Sequence, residues 1–469
     1  MGFNFVTADV DQGFLLPPDM RDWLDPGHLV FTVMDAVAQF DLSGFQVGYR
    51  LDGRGGAAYD PQLMVGLLLF AYCEGVKSSR QIERRCARDV AYRVLSGNRQ
   101  PDHATIARFR DRHQAALREV FVQVLRLCAE AGLVRVGLVA VDGTKIDADA
   151  SSHLNYDLAR VDKAVDRVSG EVERLLAEAA ALDAADDAAE VDRSDPPVPP
   201  QLRDRQQRLA KLKAAKDRLE ADAAARQAVQ DQRQAAWEAQ RGRRGTRPAA
   251  KVPDRAQGNG KTNLTDPDSM IMRTKNGFRQ SYNAQAVVTK DQIVIGAEIV
   301  PAGTDFAWFH PMLDAARAAL DAAGVNQPIR AAAADAGYST KANRDRQRLD
   351  GDDPIQLVAV PPLGGQRSSK TATAGQDTFA AQPGGDHDPR FVKDPSLHRM
   401  AKRLANPAGK RLYARRKTMI EPVFGQIKQR GGARTQHRGR DAVTTEWKMM
   451  TTAHNLLKYW RFTAVAPAT

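Results

Sequence analysis

The chain has 469 residues and a formal net charge of +11, with a pI near 9.6. A composition that is 43% hydrophobic and 27% charged predicts a globular protein with charged extensions, long enough for roughly two to four domains. The longest apolar run, Leu63 to Cys73, is too short to cross a bilayer, which needs about 20 residues, so we expect no membrane partner. The first residues include acidic side chains and no basic segment, so we expect no signal peptide and a cytoplasmic protein.

Turn residues and caps divide the first 132 residues into short helices. Asp60 before Pro61 predicts one helix start, Ser78 with Gln81 predicts a capping box, and Asp102 predicts the cap of a long amphipathic helix. Two interpretations stay open: a helix-turn-helix-like DNA reader, or a helical bundle with solvated arginines. The arginines concerned are Arg80, Arg84, Arg85, Arg88 and Arg108.

The run "LVRVGLVAVDG" predicts a buried strand that ends near Asp142. The periodicity then changes to a coiled-coil seam, and "DPPVPP" separates it from a second helical stretch at about 202–241. Together they predict an antiparallel helical hairpin with solvated charged faces. The seam residues are Leu158, Val161, Val165, Val168, Val172, Leu175, Ala179 and Leu182.

Strands and helices alternate in the second half of the chain. "QSYNAQAVVTKDQIVIGAEIV" predicts two strands joined by a tight turn near Asp291, followed by a helix at about 305–323. Further strands are predicted to end at Asp335 and to cover "IQLVAV". Residues 361–385 predict a mobile loop, and the basic C-terminal segment predicts helices that end in "TAHNLLKYWRF" against the core.

Positive charge is concentrated near the C-terminus. Residues 390–461 contain 18 lysines and arginines against four acidic residues, a net charge of +14. This concentration predicts a nucleic-acid partner, since phosphate contacts dominate such binding. Glu421 lies within this segment and would repel phosphate unless a cation lies between them.

Asp142, Asp335 and Glu421 are therefore candidate metal ligands. An unpaired buried charge costs several kcal/mol, and hard divalent cations prefer carboxylate oxygens, so three carboxylates could hold two ions for phosphodiester chemistry. Simpler roles stay open: an Asp-Gly turn at Asp142, a helix cap at Asp335, and an ion pair of Glu421 with Lys417 or Arg416. Cys73, Cys86 and Cys128 lack paired spacing and predict reduced core residues.

Several stretches, in order, resemble those of one enzyme family. "YDPQLMVGLLLFAYCEGVKSSRQIERRCARDVAYRVLSG" and "PDHATIARFR" resemble its N-terminal helical region. "VDGTKI", "ADAGYS" and "YARRKTMIEPVFGQIKQRGG" resemble the segments that hold its three acidic residues. The chain thus resembles the DDE transposases of bacterial insertion sequences, of the ribonuclease H-like kind.

The resemblance implies a mixed fold in three parts. An α-helical region that binds DNA ends would cover residues 1–132. An α/β ribonuclease H-like catalytic domain, a mixed sheet flanked by helices, would cover residues 133–155 and 262–469. A coiled-coil hairpin and linker would interrupt it at residues 156–261.

The resemblance also implies a catalytic, metal-binding triad of Asp142, Asp335 and Glu421 with two Mg²⁺ ions, or Mn²⁺ in their place. The family pattern places a Tyr, an Arg, a Glu and a Lys at fixed intervals. Lys428 lies at the expected distance after Glu421, whereas Glu421 falls one residue late relative to Tyr413 and Arg416. The implied DNA-binding residues are Lys428, Arg416 and Tyr413, with Arg80, Arg84, Arg85 and Arg108 of the N-terminal helices.

The implied function is cleavage of DNA at the ends of a mobile element, followed by attack of the freed 3′-OH on target DNA. The implied partners are double-stranded DNA, both ends and target, and a second copy or more of the chain. The implied location is the bacterial cytoplasm, on the nucleoid during the reaction. The alternatives are a catalytically inactive, domesticated DNA-binding protein or repressor, and a plain nuclease of the same fold.

Overall fold

The computed structural model describes residues 19–47, 49, 57–188, 200–241, 260–274, 277–345, 354–360 and 389–465. The predicted mobile loop at 361–385 lies outside these residues. No helix within them is both long enough and apolar enough to cross a membrane.

The N-terminal part is helical, as predicted. Asp60 and Asp102 cap their helices by accepting hydrogen bonds from backbone N–H groups, as predicted. Ser78 stands at the N-cap of the next helix but its side chain makes no cap bond, so the predicted capping box is wrong. The predicted long helix is divided at His113, whose ψ of 30° leaves the helical region and whose ring packs against Phe109. The helices are α1 Leu29–Ala38, α2 Pro61–Cys73, α3 Ser79–Arg88, α4 Val90–Leu95, α5 His103–Arg112 and α6 Gln114–Glu130.

The strands of the described residues form one six-stranded mixed sheet and a separate two-stranded pair. Their bounds are β1 Leu138–Asp147, β2 Asn155–Tyr156, β3 Thr262–Asn263, β4 Met270–Thr274, β5 Gly277–Thr289, β6 Val294–Val300, β7 Ala331–Ala334 and β8 Ile355–Val358. In the larger sheet β5 lies antiparallel to β1, while β4 and β6 share the other edge of β5. On the far side of β1 lie β7 and β8, both parallel to it.

Two strand predictions are confirmed and one is corrected. β5 and β6 are joined by the predicted turn near Asp291, and β7 ends just before Asp335. β1, however, does not end at Asp142. It continues to Asp147 because β5 pairs with it over that whole length, so the Asp-Gly dipeptide lies within a strand and the turn alternative is wrong.

The helical hairpin leaves the sheet domain between β1 and β4. Its helices are α7 Leu158–Ala188 and α8 Pro200–Arg241, and they run antiparallel, since Glu171 pairs with Arg205 and Asp162 with Lys216. The centre of the predicted seam is confirmed: Val161, Val168 and Val172 are buried against Leu212 and Leu219 in a core of their own. Leu158 is 37% exposed and does not belong to it, and the side chains of Ala179 and Leu182 lie outside the described residues.

Several of the remaining helices pack on strands of the sheet, and the last one also packs on the N-terminal helices. Within the described residues they are α9 Phe309–Ala322, α10 Lys341–Asp345, α11 Pro389–Lys393, α12 Pro395–Ala405, α13 Pro407–Ile427 and α14 Arg440–Val465. The prediction that "TAHNLLKYWRF" packs in the core is confirmed by the burial of Leu456 and Leu457.

One hydrophobic core joins the N-terminal helices to the sheet. Val30 of α1, Phe70 of α2, Val141 of β1 and Leu456 of α14 all belong to the same buried cluster. Because α14 packs against both α6 and β6, the N-terminal helices and the sheet are held as one packed unit.

Candidate active site

The structure brings Asp142 and Asp335 together. β1 and β7 are adjacent and parallel, and Val141 lies opposite Ala334, so the two aspartates occupy the next matched positions. Asp335 also caps the short turn Ala336–Tyr338 by accepting a 2.9 Å hydrogen bond from the Gly337 N–H. Asp335 can therefore cap this turn and still lie next to Asp142.

The Asp142 carboxyl is electrostatically perturbed. Burial raises its pKa to about 7, and repulsion from Asp335 and Asp305 acts in the same direction. The Arg416 guanidinium and the Gly143 N–H, which donates to Oδ1 at 2.7 Å, oppose the shift without cancelling it. A carboxyl group of this kind would be stabilised in its ionised form by a further cation.

Arg416 lies against Asp142 instead of in solvent. Its Nη1 is 2.9 Å from Oδ2 of Asp142, and its side chain is only 5% exposed because α13 packs directly on β1. Tyr413, one turn earlier, is also buried. Lys428 turns toward the same strand and donates a 3.1 Å hydrogen bond to the carbonyl of Lys145.

Glu421 is not part of this contact network. It lies on the exposed side of α13, and no hydrogen bond or ion pair joins it to another residue that the structure describes, including Lys417 and Arg416. Ile420, one residue earlier, is fully buried. Arg416 and Ile420 therefore lie on the side of α13 that faces the interior, and Glu421 lies outside that side.

A third aspartate that sequence reasoning missed completes the cluster. Oδ1 of Asp305 accepts hydrogen bonds from Asn283 at 2.8 Å and Gln285 at 2.6 Å, and lies 3.6 Å from Nζ of Lys145. The Tyr338 hydroxyl donates to the other end of the Gln285 amide. The sequence predicts the start of a helix at about residue 305, but that helix begins only at Phe309, and Asp305 lies in the turn between β6 and the helix.

Gly143 makes room for this cluster. A Cβ at position 143 would lie 2.2 Å from Nε2 of Gln285 and 2.8 Å from Oδ1 of Asp305, distances that real Cβ contacts do not show. Position 143 pairs with Gln285 across the antiparallel ladder, so the missing side chain is what lets Asp305 lie over the sheet.

The donor set suits a hard divalent cation in its chemistry. Carboxylates converge from β1 and from the turns after β6 and β7, and burial, together with repulsion from Asp335 and Asp305, raises the pKa of Asp142, a cost to its ionised form that a metal ion would offset. In the part of the chain that is described, no group of three or more His, Cys, Asp or Glu has the geometry to hold a metal ion. Arg416 and Lys145 occupy the positions next to the carboxylates instead.

The arginines predicted to bind DNA in the N-terminal helices fall into two groups. Arg80, Arg84 and Arg108 are exposed on α3 and α5. Arg85 forms a 2.7 Å ion pair with Glu74 and lies over the ring of Tyr92, so it has a structural partner already. The predicted reduced cysteines are confirmed, since Cys73, Cys86 and Cys128 are free and buried.

Comparison with known families identifies the class. Residues 18–112 match the model described as "Transposase domain (DUF772)", and residues 391–460 match "Transposase DDE domain". These two matches support a DDE transposase of the insertion-sequence type, and that family implies DNA substrates. No curated protein and no solved structure matches the chain. The second match contains Glu421 and Lys428, while Asp142 and Asp335 lie between the two matched segments.

Proposed function

We propose that this transposase cuts DNA at the ends of an insertion sequence and joins the freed ends to target DNA, in a ribonuclease H-like domain. The observation that carries the proposal is the convergence of Asp142 and Asp335 on adjacent parallel strands, with the pKa of Asp142 raised to about 7. A mixed sheet with helices on its faces, and a C-terminal match to a transposase DDE domain, support it.

Asp142 and Asp335 would hold the metal ions, with Glu421 supplied from α13. Two bound Mg²⁺ or Mn²⁺ ions would activate a water or a 3′-OH and stabilise the leaving oxygen of the phosphodiester. Glu421 is exposed at the flank of α13, so this role requires a local rearrangement of the helix toward the aspartates. When Arg416 leaves Asp142, its guanidinium can contact phosphate in the bidentate manner typical of arginine.

DNA would lie along the basic surface of the C-terminal helices and reach the exposed arginines of α3 and α5. Arg80, Arg84 and Arg108 would contact the backbone of the element's end, while Lys428 would contact the phosphates near the site. Holding two ends at once requires two copies of the chain, and the hairpin of α7 and α8 is the proposed contact between them.

A cleavage assay tests this proposal. Purified protein is incubated with DNA that carries the sequences flanking its own gene, in Mg²⁺ or in EDTA. Wild type is compared with Asp142→Asn, Asp335→Asn and Glu421→Gln, and with Asp321→Asn on the exposed surface of α9 as a control. Cleavage at the element boundary should need metal and all three acidic residues, and should be retained by the control variant.

The inactive DNA-binding protein is the second candidate, favoured by the exposure of Glu421 and by the lack of a metal-holding group of three carboxylates among the described residues. It predicts salt-sensitive DNA binding with no metal-dependent cutting by wild type. A plain nuclease would cut the same DNA but would form no joined product with a target plasmid. Joined product from wild type excludes both.

A further inference from the structure

Two positively charged side chains lie next to the carboxylates of the candidate active site. Arg416 pairs with Asp142, and Lys145 lies on the side of Asp305. Nζ of Lys145 is buried and has no hydrogen-bond acceptor among the described residues; its contact with Asp305, at 3.6 Å, is an ion pair. An ammonium with three N–H donors is thus held in place by charge and not by directed hydrogen bonds.

Three carboxylates act on that ammonium. Burial lowers the pKa of Lys145, and Asp305, Asp142 and Asp335 each oppose the shift by favouring the charged form. Lys145 is therefore surrounded by the same aspartates that the proposed reaction needs for metal. A lysine and a divalent cation in one cluster compete for the same negative charge.

The carboxylate of Asp305 is held in one position by hydrogen bonds, next to Lys145. Asn283 and Gln285 of β5 both donate to its Oδ1, and Tyr338 in turn holds the Gln285 amide. Lys145 lies directly opposite Asn283 in the ladder between β1 and β5. The strands thus present a fixed carboxylate next to a flexible lysine stem.

We propose that Lys145 is a positioning residue: it is the internal counter-ion of the Asp142, Asp335 and Asp305 cluster in the metal-free protein, and it leaves the cluster when a divalent ion binds. Asp305 holds Lys145 at the site and adds the third negative charge. This inference rests on the proposed metal-dependent function. It explains why three partly buried aspartates can lie close together before metal binds.

The test measures Mn²⁺ binding to the DNA-free, full-length protein. Calorimetry and the electron spin resonance signal of free Mn²⁺ both report the affinity. Lys145→Met and Lys145→Gln remove the charge, Lys145→Arg keeps it, and Lys290→Met removes a charge from the exposed turn between β5 and β6. We expect the two neutral variants to bind Mn²⁺ about tenfold more tightly, which corresponds to about 1.4 kcal/mol of removed repulsion. Lys145→Arg and Lys290→Met should bind as wild type does.

Thermal unfolding gives a second readout. In EDTA the neutral variants should unfold at a lower temperature than wild type, because the aspartates lose their counter-ion, and saturating Mn²⁺ should stabilise them more than it stabilises wild type. Unchanged or weaker Mn²⁺ binding by both neutral variants overturns the inference and leaves the proposed function standing. Absence of Mn²⁺ binding by wild type overturns both.

Discussion

The side-chain amide of Gln292 donates a 3.1 Å hydrogen bond to the carbonyl of Thr418. Thr418 lies four residues before Pro422, which is inside α13 and has no N–H to offer that carbonyl. Gln292 sits in the turn between β5 and β6 with a positive φ of 64°, and its own Oε1 accepts from Lys458 of α14. A residue of the turn between β5 and β6 thus replaces the helical donor that Pro422 lacks.

This contact predicts a measurable coupling between Gln292 and Pro422. Gln292→Asn keeps a residue that tolerates positive φ but is too short to reach, and should cost about 0.5–1.5 kcal/mol, the net contribution of one hydrogen bond, since the Thr418 carbonyl lies in an exposed position. In a Pro422→Ala background the new backbone N–H can serve Thr418, so the cost should fall by about 1 kcal/mol. Urea denaturation of wild type, the two single variants and the double variant measures this coupling. An equal cost in both backgrounds would show that the Thr418 bond contributes nothing.

A buried ion pair ties the N-terminal helices to α14. Lys77, in the loop after α2, lies 3.0 Å from Glu446, whose side chain is fully buried and also accepts hydrogen bonds from Gln436 N and from both N and Nδ1 of His437. Burial alone would raise the pKa of Glu446, but the His437 hydrogen bond and the Lys77 charge outweigh it and lower the pKa to about 2.

Removing the Glu446 charge should therefore destabilise the protein strongly. Glu446→Gln leaves Lys77 buried without its counter-ion and should cost about 3–5 kcal/mol at pH 7, measured by urea denaturation. Asp441→Asn is the control, since its side chain is 87% exposed and its ion pair with Arg118 should contribute less than about 1 kcal/mol. Similar losses from the two variants would contradict the assigned role of the buried pair.

The carboxyl group of Glu446 should also make the free energy of unfolding depend on pH in acid. Because the folded pKa lies below the value of about 4.5 in the unfolded chain, the contribution of Glu446 is complete above pH 4.5 and is lost as the pH falls toward 2. The free energy of unfolding of wild type should decline across this window more steeply than that of Glu446→Gln. Parallel pH profiles of the two proteins would sink this assignment.

Gly143→Ala should damage the site selectively. The added Cβ meets the amide of Gln285 and the carboxylate of Asp305, so either Asp305 moves or β1 and β5 separate locally, at a cost of about 1–3 kcal/mol. We expect cleavage and Mn²⁺ binding to fall together while the protein stays folded, as monitored by circular dichroism. Gly137→Ala, where a Cβ meets nothing within 4 Å, is the matched control in the residue before β1.

The sequence predicted local structure where local chemistry decides it. The caps at Asp60 and Asp102, the turn near Asp291 and the centre of the hairpin seam depend on residues close together in the chain. The capping box at Ser78 failed because a cap bond is only one of several ways to satisfy helix N–H groups. The extension of β1 past Asp142 depended on pairing with β5, which is more than 130 residues away.

Only part of the candidate active site was predicted, because the rest of it depends on contacts between residues that are distant in the chain. Asp142 and Asp335 could be found because each follows an apolar strand pattern, and their meeting follows from strand adjacency. Asp305 could not be recognised as a partner without knowing that β5 places Asn283 and Gln285 beside it. The orientation of Glu421 depends on how α13 packs, which a single sequence does not state.

The hairpin should be removable without unfolding the rest. Tyr156 and Thr262 are paired neighbours in the small sheet of β2 and β3, so the chain leaves and returns at the same place. Replacing residues 157–261 by Asn-Gly, the sequence favoured in tight hairpin turns, should leave the main core intact because the hairpin has a core of its own. Cooperative unfolding and retained Mn²⁺ binding would confirm this independence. Loss of the folded state would show instead that the contact of Arg218 with Asp268 and its surroundings hold the sheet domain together.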